Sequence, residues 1–152
     1  MLHNPTIIAA IQRLANTSPD SQSLMAATVE LLRRERPHYN WVGFYLLGQD
    51  GVLVLGPYAG KPTPHTRIPL DQGICGAAGA SGQTVVVDDV HSDPRYLACS
   101  LETRSEIVVP ILHDGRVLGE IDVDSDAPAA FTDADRTLLE AVGAIVATRL
   151  GY

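Results

Sequence analysis

Two runs, Ile107 to Leu112 and Arg116 to Val123, flank Asp114-Gly115 and alternate side chains of opposite character. No other feature constrains the chain as much, because period-two alternation belongs to strands that bury one face in a core. The second face is carboxylic: it carries Glu106, Asp122 and Asp124. Loop length sets the register. A two-residue turn at Asp114-Gly115 would put Ile107 opposite Asp122 and Val109 opposite Glu120, apolar against carboxylate. A three-residue loop, His113-Asp114-Gly115, instead pairs Ile107 with Ile121, Val109 with Gly119 and Ile111 with Val117. The second register is the expected one. It sets Glu106 directly across from Asp122, with Asp124 two residues along and Arg104 opposite Asp124. Opposed β-carbons lie about 5 Å apart and i, i+2 neighbours about 7 Å apart. Three acids so placed are either a solvated charged face or a site. As a site, they bind an ammonium group, and their repulsion keeps one of them protonated as a proton donor.

The rest of the chain supplies what covers the apolar face. Residues 5 to 15 read as a short helix. Ser21 to Arg36 carries Leu24, Ala27, Thr28, Leu31 and Leu32 at helical spacing, and Pro37 ends it. Trp41 to Leu47 and Val52 to Gly56 read as antiparallel strands joined by Gly48-Gln49-Asp50-Gly51. A Pro-rich passage to Pro69, a small-residue helix at Ile74 to Ala80, a strand at Thr84 to Val87 and a long loop from Asp88 to Arg104 follow. Thr132 is placed to cap a final helix that opens on Asp133 and Asp135 and continues through Leu138, Leu139, Val142, Ile145 and Val146. The expectation is one α+β domain over residues 1–152, with helices from both ends on the apolar face of a mostly antiparallel sheet. Its 152 residues bury enough surface to need no staples. A net charge of −7 argues against nucleic acid and anionic membranes as partners. No run approaches the roughly 20 apolar residues of a membrane helix, and Met1-Leu2-His3-Asn4-Pro5 does not open a leader, so a cytoplasmic protein is expected.

Two cysteines make no disulfide scaffold. Cys99 lies in the long loop, where a reactive thiol is easily placed. Cys75 lies at a loop-to-helix junction, where the helix dipole favours a thiolate. Buried packing is the alternative for each. Their separation is no zinc pattern and no paired ligand lies nearby in sequence, so no metal is expected. His91 reads as a loop hydrogen-bonding residue or a base. Trp41 and Tyr45 share one strand face. They belong either to the core or, if they stand beside the acids, to an apolar wall for a thioether-like end.

The stretches Asn40-Trp41-Val42-Gly43-Phe44-Tyr45, Leu55-Gly56-Pro57, Gly60-Lys61, Arg67-Ile68-Pro69, Gly73-Ile74-Cys75-Gly76, Asp89-Val90-His91, Ala98-Cys99, Ser105-Glu106-Ile107-Val108-Val109-Pro110 and Asp122-Val123-Asp124-Ser125 occur in this order over most of the chain. Together they resemble the GAF-domain free methionine-(R)-sulfoxide reductases. The resemblance implies a GAF fold with its ligand pocket on the sheet face opposite the terminal helices, and reduction of free L-methionine-(R)-sulfoxide without a bound cofactor. It implies Cys99 as catalytic cysteine and Cys75 as the second cysteine that forms an intramolecular disulfide with it, reopened by thioredoxin or a similar dithiol. It further implies Glu106, Asp122 and Asp124 on the sulfoxide and amino groups, Trp41 and Tyr45 around the methyl end, and a homodimer. Three departures stand out: His65 replaces a cysteine of three-cysteine members, Tyr96-Leu97-Ala98-Cys99-Ser100 differs around the nucleophile, and Glu120 replaces an apolar residue. The rival reading is a non-catalytic GAF module that senses a small molecule. A bilin-binding GAF lacks its attachment motif here, and a thiol peroxidase would leave the acids and aromatics without a role.

Overall fold

Helical and strand periodicities alternate along the chain in a way that yields a sheet with one helical layer on one side and a single short helix on the other. The computed structural model describes residues 1–97 and 100–150. In chain order the elements are α1 (Asn4–Thr17), α2 (Ser21–Glu35), β1 (Trp41–Leu47), β2 (Val52–Ala59), β3 (Arg67–Pro69), α3 (Gly73–Ser81), β4 (Val85–Val87), β5 (Ser105–His113), β6 (Arg116–Ser125) and α4 (Asp133–Leu150). Pro5 occupies the first turn of α1, where its missing N–H costs nothing, and Ile7, Ile11 and Ala15 form the buried stripe. The Asp20 carboxylate caps α2 by accepting the Ser23 N–H at 2.7 Å. Leu24, Thr28, Leu31 and Leu32 are buried as expected, joined by Met25 and Val29. At α4 the Asp135 carboxylate accepts both the N–H and the hydroxyl of Thr132, at 2.9 and 3.2 Å. Thr132 therefore stands at the cap, with its hydroxyl as donor.

The six strands lie in the order β3-β2-β1-β6-β5-β4, each pair antiparallel. Val42, Phe44, Ile107, Val109, Ile111, Ile121 and Val123 face α1, α2 and α4 and make the main core. Their alternate neighbours Trp41, Tyr45 and Val108 point the other way, where Ile74, Cys75 and Ala78 of α3 meet them. Strand β3, which pairs Arg67, Ile68 and Pro69 with Val54, Leu53 and Val52, is hidden in the sequence by its short length and Pro-rich surroundings. Among the described residues no helix is long and apolar enough to cross a membrane.

The β5–β6 register differs from the expected one by two residues. The turn has two residues, Asp114 (φ 51°) and Gly115 (φ 76°), both left-handed as a primed hairpin turn requires, and His113 pairs with Arg116. Leu112 faces Val117 but Ile111 faces Gly119, so Leu118 is an extra residue on β6. That bulge restores the parity that a bare two-residue turn would invert, leaving Val109 opposite Ile121 and Ile107 opposite Val123. Glu106 consequently stands opposite Asp124 and not Asp122, which faces Val108. Arg104 is exposed and precedes the first paired residue, so it does not oppose Asp124. The acids still share one face, as the alternation requires.

Candidate active site

The pairing of β1, β6 and β5 builds a grid of side chains on the face away from the main core. Trp41, Gly43 and Tyr45 lie opposite Asp124, Asp122 and Glu120, and on the far side of β6 these three acids meet Glu106, Val108 and Pro110. Four carboxyl groups thus share the face. Each of Glu106, Glu120, Asp122 and Asp124 is at most 4% exposed. Among the described residues none of them forms an ion pair with a lysine or arginine. One oxygen each of Asp122 and Asp124, and both of Glu120, have no hydrogen-bond partner there. Unpaired buried charge is costly, so the face either holds its protons or waits for a cation.

Helix α3 closes over this grid. Its small residues allow close approach: a β-carbon added at Gly76 would lie 2.8 Å from the Pro69 carbonyl oxygen, and one at Gly79 would lie 2.7 Å from the Leu70 side chain. Cys75, in the first turn of α3, is buried and donates its S–H to Asp122 Oδ2 at 3.3 Å. Helix position alone would favour a thiolate, but the surroundings reverse this. Burial raises the Cys75 thiol well above its ordinary pKa, and Asp122, Glu120 and Glu106 add to the rise. Burial likewise raises Glu106, reinforced by Asp122 and Asp124, and raises Glu120 and Asp124, each reinforced by Asp122. Asp122 is raised by burial and eased by hydrogen bonds from Glu106 and Cys75. Every one of these shifts favours the protonated form, which suits the cluster to donate a proton to a departing oxygen.

An aromatic wall bounds the acids. The Trp41 indole donates its N–H to the Lys61 carbonyl at 3.0 Å and stacks on Tyr58 at a centroid distance of 5.6 Å. It lies across Gly43, where a β-carbon would fall 2.3 Å from its ring. The Tyr45 hydroxyl donates to the His65 carbonyl at 2.8 Å, pinning the passage before β3 over the site. Trp41 and Tyr45 stand on the face of the acids and are also buried there in a second apolar cluster.

Two neighbouring clefts open on the face. One is lined by Tyr45, His65, Ile68, Gly73, Ile74, Cys75, Leu97, Glu106 and Asp122. The other is lined by Trp41 and Asp124 with Arg33, Asn40, Lys61, Pro62, Thr63, Ser100, Thr103 and Asp126. Cys99 lies outside the described residues, but its neighbours Leu97 and Ser100 line one cleft each. His91, exposed in a 3₁₀ turn at Val90–Ser92 and edge-on to Tyr96, lines neither. Cys75, Glu106 and Asp122 each offer a ligand atom within 4.8 Å of the others. Chain spacing does not reveal this set, since its members come from α3, β5 and β6. Glu120 was reachable from sequence: it precedes Asp122 by two residues and so shares its face.

Comparison with known proteins matches this architecture. The GAF domain family model covers residues 20–150. A free methionine-R-sulfoxide reductase of Neisseria meningitidis, solved in complex with its substrate, is 38% identical with a TM-score of 0.92 over 97% of this chain and 87% of that one. The chain belongs to the GAF-domain free methionine-R-sulfoxide reductase family. The Escherichia coli free methionine-R-sulfoxide reductase is 41% identical over 73% of this chain and 66% of its own length. A putative GAF sensor from Burkholderia vietnamiensis is also similar, 37% identical with a TM-score of 0.89 over 96% of this chain and 92% of that one. Within this family the GAF fold is as expected from sequence, with the terminal helices on one sheet face and the clefts on the other.

Proposed function

We propose that this protein reduces free L-methionine-(R)-sulfoxide to L-methionine. The observation that carries the reading is the set of four buried carboxyl groups without a lysine or arginine partner among the described residues, beside Trp41 and Tyr45, in a chain of this reductase family. An amino acid supplies what that face lacks, an ammonium group among the acids, and its methyl end finds an apolar wall. Cys99 attacks the sulfoxide sulfur, and a protonated carboxyl among Glu106, Asp122 and Asp124 delivers a proton to the oxygen. The protonated oxygen then passes from the substrate sulfur to the Cys99 sulfur as the bond between the two sulfurs and the original S–O bond break, so that methionine leaves and Cys99 becomes a sulfenic acid. The Cys75 sulfur then bonds to Cys99, the sulfenic S–O bond breaks, and the Cys75 proton leaves with the hydroxyl as water. A raised thiol pKa suits this order, because Cys75 stays protonated and quiet until an electrophilic sulfur reaches it. An external dithiol of the thioredoxin type reopens the disulfide, which fits a reducing compartment such as the cytoplasm.

Turnover with a thioredoxin recycling system, read as NADPH oxidation, tests the reading. Free methionine-(R)-sulfoxide supports turnover, whereas the (S) epimer and peptide-bound sulfoxide give little; equal rates on all three would remove the assignment. Cys99→Ser abolishes turnover. Cys75→Ser releases about one methionine per chain and then stalls, since reduction precedes resolution. A GAF sensor instead binds the amino acid without turnover in any variant.

A further inference from the structure

The cleft under α3 presents three ligand-capable atoms on a triangle. The Cys75 sulfur and one carboxylate oxygen each from Glu106 and Asp122 lie within 4.8 Å of one another, with sulfur to Asp122 Oδ2 at 3.3 Å. Tetrahedral zinc, with bonds of about 2.3 Å to sulfur and about 2.1 Å to oxygen, holds such atoms about 3.6 Å apart, so small side-chain rotations close the triangle. A second observation points to a missing ligand: Asp122, a buried residue that lines this cleft, has an oxygen, Oδ1, with no hydrogen-bond partner among the described residues.

We propose that this cleft binds a thiophilic divalent cation, with zinc as its representative, through Cys75, Glu106 and Asp122. The donor set selects the class. One thiolate and two carboxylates suit zinc, whereas calcium takes six or more oxygens and magnesium an octahedral shell of them. His65 and Leu97 line the same cleft as the three donors. Binding breaks the Cys75 S–H bond, forms a metal–sulfur bond and metal–oxygen bonds to the Glu106 and Asp122 carboxylates, and releases to solvent the thiol proton together with the protons those carboxyls hold. Zinc and the sulfoxide then exclude each other, making the ion a competitive inhibitor; this clause alone rests on the function proposed above.

The test is titration of reduced, metal-free protein with zinc chloride against a chromophoric chelator, and with cobalt(II) as a spectroscopic stand-in. One ion per chain and a sulfur-to-cobalt charge-transfer band are expected. Cys75→Ser loses the band and weakens zinc binding by at least about 100-fold, Glu106→Gln weakens it by about 10-fold or more, and Cys99→Ser holds it within about threefold. Circular dichroism establishes that each variant is folded, and Glu106→Gln decides the matter if Cys75→Ser is not. Zinc left with the chelator, binding that survives Cys75→Ser, or binding lost in Cys99→Ser overturns the site. The two readings fail separately: zinc binding is measured without turnover, and metal-free protein inactive on the sulfoxide would overturn the function while leaving the site.

Discussion

Glu120 is buried on an acidic face with both oxygens lacking a hydrogen-bond partner among the described residues, and the family resemblance places an apolar residue there. A carboxyl in that position opposes folding, because burial and the Asp122 charge both disfavour its ionised form. Glu120→Met, close in volume, is expected to raise unfolding free energy by about 1–3 kcal/mol. Chemical denaturation with an unchanged slope checks it, and a loss of stability would reveal a partner for the carboxyl. The same variant is expected to shift thiol alkylation of Cys75 to lower pH, since Glu120 helps hold the thiol protonated. At this scale much of the site is legible in sequence: Glu106, Asp122 and Asp124 declare a common face by alternation alone. Their depth does not show, because strand periodicity reports which way a side chain points and not what lies above it. The small helix α3, which buries them, arrives from a distant part of the chain.

Among the elements, α3 and the β5–β6 hairpin decide the geometry. Gly76 sets the height of α3 over the sheet through its contacts with the Pro69 and Leu70 backbone, which cannot yield as a flexible side chain would. Gly76→Ala is expected to lift the helix, cost about 1–3 kcal/mol and separate Cys75 from Asp122. Thermal unfolding measures the first effect. A lower midpoint of Cys75 alkylation against pH measures the second, and an unchanged midpoint would show that the helix does not set the thiol's surroundings. The hairpin shows where sequence reasoning runs out. Both candidate loop lengths presuppose an unbroken ladder, whereas the structure combines the shorter turn with Leu118 as an unpaired residue. Alternation fixes parity, and a bulge leaves parity right while moving every partner by two positions. Hence Glu106 meets Asp124 and not Asp122, although the face they share is the expected one.

For the molecule as a whole, the gathered acids predict an inverted dependence of stability on pH. Most carboxylates with folded partners lose stability as pH falls; here Glu106, Glu120, Asp122 and Asp124 have folded pKa values above their unfolded ones. Their contribution is complete below about pH 4 and is lost as pH rises through the folded values, by about 1.4 kcal/mol per pH unit for each proton the folded state alone retains. Asp20, Asp89, Asp93 and Glu102, whose pKa values are lowered chiefly by hydrogen bonds, act in the opposite sense at the acid end. Urea melts of ligand-free protein are therefore expected to show stability falling from about pH 5 through neutrality, and a rise over that interval would contradict the assignment. Strand β6 carries both halves of this design in one thread, with Ile121 and Val123 committed to the core and Glu120, Asp122 and Asp124 to the clefts. Single substitutions can thus retune recognition and leave the foundation alone, and even loss of the surplus residue Leu118 would straighten the strand into an unbroken ladder that keeps the carboxylates on their own side.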